Sequence, residues 1–164
     1  MTATTDDLLP IGSCNIENMK KLGVDFVEVT TKPVVRRHIN KLTLTTIGDL
    51  SWPEHVTIFT IPGRMAVQFN VPLIVWGENP QHEYGGPAAS TTKNSLDRRW
   101  VEEIGGLLGF CVADLIGQAE ITANDLVHYR YTSNEDLARL SVTGIFLGYH
   151  YPCDCYQKAM MAQG

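Results

Sequence analysis

The sequence predicts an α/β chain, a layered domain with a small, mostly parallel sheet. Three observations predict it. Short apolar runs rich in β-branched and aromatic residues recur at Val24–Val29, Leu73–Trp76 and Thr143–Tyr151. The stretches between them carry helical signals, and strands separated by helices pair in parallel through right-handed crossovers. A length of 164 residues with 44% hydrophobic content suits one domain, able to bury about two thirds of its unfolded surface.

After a polar lead, Ser13 is the expected N-cap of a short helix with Ile16, Met19 and Leu22 on one face, closed by Gly23. The strand Val24–Val29 follows. Thr30 or Thr31 can cap a second helix, whose Pro33 suits the first turn and whose apolar positions run from Val34 to Leu44 before Gly48 ends it. Trp52-Pro53-Glu54-His55 opens a third helical stretch. Pro62-Gly63 predicts a kink there, or two helices joined, and Asn70 a left-handed end before Pro72. Beyond the strand Leu73–Trp76, Ser95 can cap a helix through Leu108. Short helical turns are expected at Ala113–Ile116 and Asp125–Tyr129, and Ser133 begins a capping signal for a helix through Leu140.

Composition removes several function classes. A net charge of -5, from 13 basic and 18 acidic residues, with the basic residues in pairs, does not make a nucleic-acid footprint. No apolar run approaches the length of a membrane span, and MTATTDD lacks the regions of a signal peptide, so a cytoplasmic protein is expected. Cys14, Cys111, Cys153 and Cys155 then read as reduced thiols. Cys153-Asp154-Cys155 is too short for a zinc knuckle, and no metal site is expected, although His150 could join the pair.

The chemistry concentrates in Pro72 to Pro87, PLIVWGENPQHEYGGP. A buried strand here delivers a loop dense with Gly, Pro and hydrogen-bonding side chains, and ligands of open α/β sheets bind outside the carboxyl ends of strands. A long solvated turn would use the same glycines and prolines.

Six segments together resemble the N-acetyl sugar amidotransferases. They are Leu22-Gly23-Val24-Asp25, Val35-Arg36-Arg37, Trp52-Pro53-Glu54-His55, Trp76-Gly77-Glu78-Asn79-Pro80 with Glu83-Tyr84-Gly85-Gly86, Leu96-Asp97-Arg98-Arg99-Trp100, and Val142-Thr143-Gly144-Ile145-Phe146-Leu147-Gly148-Tyr149. These are surface-polysaccharide enzymes of the PP-loop ATP pyrophosphatase class. The resemblance implies a doubly wound, three-layer, adenine nucleotide alpha hydrolase-like fold. It also implies a reaction in which ATP, with Mg²⁺, adenylates the acetamido oxygen of an N-acetylated sugar and ammonia from a glutaminase subunit displaces AMP. No Ser-Gly-Gly-x-Asp-Ser turn and no Walker A loop occurs in the sequence, so it is expected to correspond to the middle of such an enzyme. It would then bind a nucleotide sugar without an ATP loop of its own, work with a separate PP-loop chain, or serve as an assembly module. Sheet edges and helix faces left open predict a homo-oligomer.

Within this frame Glu78 and Glu83 could hold Mg²⁺ or act as acid and base, or simply be solvated carboxylates. His55 is a base, a ligand or a histidine hydrogen-bonded to backbone. Asn79 and Tyr84 would bond sugar hydroxyls or the acetamido oxygen, and Gly85-Gly86 would admit close backbone approach, unless these four only shape a turn. Arg98 and Arg99 would fork a nucleotide-sugar phosphate, or one would pair with Glu102 or Glu103. Arg36 and Arg37 read as a solvated helix face, and Arg64 is a weaker candidate.

Overall fold

The computed structural model describes residues 2–4, 8–77, 109–151, 156–157 and 160. The chain is mixed α/β. Its elements run β1 (Thr2–Thr4), α1 (Pro10–Lys20), β2 (Glu28–Thr30), α2 (Pro33–Ile47), α3 (Trp52–Gln68), β3 (Leu73–Trp76), three 3₁₀ turns, α4 (Asn134–Arg139), β4 (Thr143–Phe146) and α5 (Leu147–His150). The strands form two parallel pairs. Thr2–Thr4 lie beside Glu28–Thr30, and Leu73–Trp76 lie beside Thr143–Phe146 with Trp76 opposite Phe146.

Local chemistry explains where each helix starts and stops. α1 begins at Pro10 rather than after Ser13, because proline at the first helical position gives up an N–H that has no partner there anyway. Ser13 instead lies inside the helix and donates its own N–H to Leu9 O. None of α1 is buried. α2 begins at Pro33 and ends against Gly48 at φ 76°, the left-handed residue that closes a helix, but Lys32 rather than a threonine occupies its cap.

α3 corrects the expected break at Pro62. It runs unbroken from Trp52 to Gln68. The proline deprives the Ile58 carbonyl of its helical donor, and Ile58 is exposed, so water can take that oxygen. Gly63 is buried, and the segment around Thr132 packs directly on it: a methyl group at Gly63 would meet the Thr132 hydroxyl at 3.6 Å. The helix ends as expected at Asn70, φ 57°, after which Val71 N–H bonds back to Ala66 O.

Two strands also differ from expectation. Of the run Val24–Val29 only Glu28 and Val29 are in a strand, which continues to Thr30 and pairs with Thr2–Thr4. Thr143–Tyr151 divides into a strand and the single turn of α5, as β3 ends at Trp76 and the ladder with it. β1 itself lies in the polar lead.

The core gathers under the first half of α3. Trp52 is fully buried and meets Phe110 edge-on at 5.6 Å, and Ile39, Val56, Val112, Leu115, Ile121, Leu126 and Tyr129 complete the cluster. α2 presents Arg36, Ile39 and Thr43 to it, one stripe at helical spacing. From its middle α3 packs on β3, where Phe59 meets Trp76 at 5.6 Å, and Phe146 on the paired β4 is fully buried.

Candidate functional site

The first turns of α2 and α3 converge on an open cleft of about 370 Å³. Pro33, Arg36, Arg37 and Asn40 form one wall, and Leu50, Ser51 and Glu54 the other. The helical repeat places Arg36 and Asn40 one turn apart on one face of α2. Glu54 projects from the first turn of α3, where a carboxylate also suits the helix dipole.

The charged groups are organised around Glu54. Arg36 Nε lies 3.3 Å from Glu54 Oε1, with the arginine side chain 10% exposed and the glutamate 30%. Asn40 Nδ2 donates to both Glu54 oxygens, at 3.4 and 3.3 Å, and also to Leu50 O, which ties the α2–α3 connection to the cleft floor. Arg37 is exposed and lines the mouth. Thus Arg36 corrects the sequence expectation: it is a buried, paired wall residue, whereas Arg37 is solvated as expected. Behind it stands Tyr129, 1% exposed, whose phenol is pushed up by burial while Thr31 and Arg36 pull the other way.

His55 belongs to the same turn but does not line the cleft. Its Nδ1 lies 3.7 Å from Asp49 Oδ2, a charge pair when the imidazole is protonated. Asp49 in turn accepts from Ser51 N–H through Oδ1 at 2.8 Å, which fixes the entry to α3. The geometry thus gives His55 a carboxylate partner rather than a position over the cleft.

Glu78, Asn79, Glu83, Tyr84, Gly85, Gly86, Arg98 and Arg99 lie outside the described residues. What the structure does place is the exit of their segment. β3 delivers Gly77 beside the end of β4, so two motif segments reach the carboxyl end of one parallel pair. Trp76 stands there with its indole Nε1 buried and without a hydrogen-bond partner among the described residues.

Mg²⁺ does not fit the cleft, which offers a single carboxylate already held by a guanidinium, where the ion needs oxygen ligands in excess of positive charge. Among the described residues no group of three His, Cys, Asp or Glu side chains could hold a metal ion, and no helix is long and apolar enough to cross a membrane. Cys14 and Cys111 are exposed free thiols.

Glu54 and Asn40 were missed as site residues by sequence reasoning. Their signal was faint. Asn40 at i+4 from Arg36, and a glutamate in the first turn of the next helix, are spacings any solvated helix pair can have. No family model matches the chain, and no curated protein is significantly similar to it.

Proposed function

We propose that the chain is an amidotransferase-like domain that binds an N-acetylated nucleotide sugar and lacks an ATP loop of its own. One observation carries the reading. Two segments of the resemblance, Val35-Arg36-Arg37 and Trp52-Pro53-Glu54-His55, meet in the Arg36–Glu54 pair and wall one cleft. A volume of about 370 Å³ is in the range of small-molecule sites and accommodates the sugar end of such a ligand. Arg37 at the mouth supplies a cation for the diphosphate, and Asn40 an amide for hydroxyl or acetamido groups. In this reading the two parallel pairs belong to a doubly wound, three-layer, adenine nucleotide alpha hydrolase-like sheet, in a cytoplasmic protein whose ATP cleavage would come from a separate PP-loop chain and whose ammonia would come from a glutaminase subunit.

Titration of the full chain with UDP-N-acetylglucosamine, followed by amide and indole NMR, tests it. Movement of the Asn40 side-chain amide, weakened at least tenfold in Arg37→Ala, is expected. A spectrum indifferent to millimolar ligand overturns the reading, and shifts with Mg-ATP instead would restore self-sufficient ATP chemistry.

A second reading, an assembly module, has its own observation. Leu73 and Val75 on one face of β3 are about half exposed, although parallel sheets are ordinarily covered on both faces, and α1 buries nothing. Sedimentation equilibrium should then show a homo-oligomer at micromolar concentration. A monomer at every concentration removes this reading and leaves the first untouched.

A further inference from the structure

A second cleft, at the far end of α3, contains a cation that nothing yet accounts for. It has a volume of about 290 Å³ and is lined by Arg64, Gln68, Tyr131, Thr132, Ser133 and Asp136, with Val67 at its base. We infer that this cleft is a binding site for a small phosphomonoester that also carries hydroxyl groups, with Arg64 holding the phosphate and Asp136 accepting from a hydroxyl.

Arg64 is the reason. It is half-buried, on the turn of α3 just after Pro62-Gly63, and has no hydrogen bond or ion pair among the described residues. Its guanidinium lines an open cleft with no carboxylate bonded to it among the described residues, and is so placed for an anion from solution. A cationic neighbour does not offer relief either. Burial disfavours protonation of His128, and the nearby Arg64 charge lowers it further. Its Nδ1 is buried without a partner among the described residues. The positive charge beside His128 is thus that of Arg64, which no ion pair among the described residues neutralises.

The same cleft also carries a charge of the other sign. Asp136 receives the Ser133 hydroxyl at 2.7 Å and Arg139 at 3.4 Å, and these two partners hold its carboxyl below the usual range, so it is ionised at neutral pH. A bare dianion would feel Asp136 as repulsion. A phosphate joined to a hydroxyl-bearing skeleton satisfies both charged groups at once, since the ionised carboxylate retains lone pairs to accept an O–H. Gly63, one residue before Arg64, marks how closely the Tyr131–Ser133 segment approaches α3, since a methyl group there would come into van der Waals contact with the Thr132 hydroxyl at 3.6 Å.

The inference does not depend on the nucleotide-sugar reading, which concerns the other end of α3. The experiment is a pH titration of the His128 imidazole by NMR on the full chain, alone, with inorganic phosphate and with glucose 1-phosphate. An anion on Arg64 cancels the field on His128, so its midpoint should rise by roughly half a pH unit or more when the site fills. Glucose 1-phosphate should bind at least tenfold tighter than inorganic phosphate, and Asp136→Asn should narrow that ratio. Arg64→Gln, which breaks no pairing among the described residues, should abolish both responses, and Gln68→Ala should weaken them in a chain that keeps its arginine. No midpoint change with millimolar ligand in about 20-fold excess over the protein, or binding equal in Arg64→Gln, overturns the inference. Equal affinity for the two probes would reject the role of Asp136.

Discussion

α3 carries an arginine cleft near each end, and the two are built on opposite principles. At the first, Arg36 is nearly buried and its charge is met by Glu54 and framed by Asn40. At the second, Arg64 is half-buried and nothing among the described residues meets it. The first arginine is committed to holding two helices in register and leaves recognition to Arg37 at the mouth. The second contributes little to cohesion and is available to a ligand. A positive charge in a cleft therefore does not by itself mark a binding residue; whether its counter-charge comes from the chain decides.

The largest perturbation removes the platform of the first cleft alone. Trp52, fully buried against Phe110, starts the turn that presents Glu54, and Trp52→Ala should cost about 3–5 kcal/mol in urea unfolding. If the variant stays folded, phosphate should still move His128. Loss of both clefts together would mean that α3 transmits the damage along its length and that they are not independent.

The comparison itself is tested by removing one partner at each end. Glu54→Ala removes a carboxylate from beside a nearly buried guanidinium and should destabilise by about 1–3 kcal/mol, less than for a wholly enclosed pair because the carboxylate is partly in water. Arg64→Gln should stay within about 0.5 kcal/mol of wild type. Equal losses would show that Arg64 has a partner in the folded chain.

A smaller effect is expected from Ser133, whose hydroxyl accepts from Asp136 N–H at 3.1 Å and caps α4. Ser133→Ala should cost about 1 kcal/mol in thermal or urea unfolding. It should also free Asp136, and so raise the repulsion a bare phosphate meets.

The smallest effect is a pH dependence beside the first cleft. Lys32, just before α2, reaches Asp125 at 2.6 Å, and that bond, with two from Thr122, lowers the Asp125 carboxyl from 3.8 to about 2. A lowered folded pKa stabilises above the unfolded value, so its contribution is complete above about pH 4 and is lost as pH falls toward 2. Thermal melts of wild type and Asp125→Asn should diverge above pH 4 and converge near pH 2. Curves that remain parallel across that range would show the pair to be unimportant.

Most of the helical frame was legible, because it is written in local chemistry. Pro33 and Gly48 bound α2, Asn70 ends α3 and Ser133 caps α4, each through the backbone preference of one residue. Pro62 was misleading for a reason outside its own residues: an exposed Ile58 lets the helix continue past a proline that looks like a stop. The strands were legible as apolar runs but not in extent, since β2 and β4 end where their partners end. Of the catalytic candidates, His55 alone is among the described residues, and it pairs with Asp49. The cleft residues were hidden because polarity cannot distinguish a paired wall arginine such as Arg36 from the solvated Arg37 next to it.

The parallel pairing of Leu73 with Thr143 also orders events in time. α2 and α3 are neighbours in sequence and can dock as soon as both have been made, but β3 must wait for a partner that follows the whole of segment 77–142. At typical rates of synthesis that wait is roughly 4 to 14 seconds on the ribosome. Meanwhile Phe59 and Trp76 have no Phe146 to close over them. A nascent chain stalled before residue 143 should therefore be the form of this protein that chaperones hold and proteases cut, and one released past residue 146 should escape both.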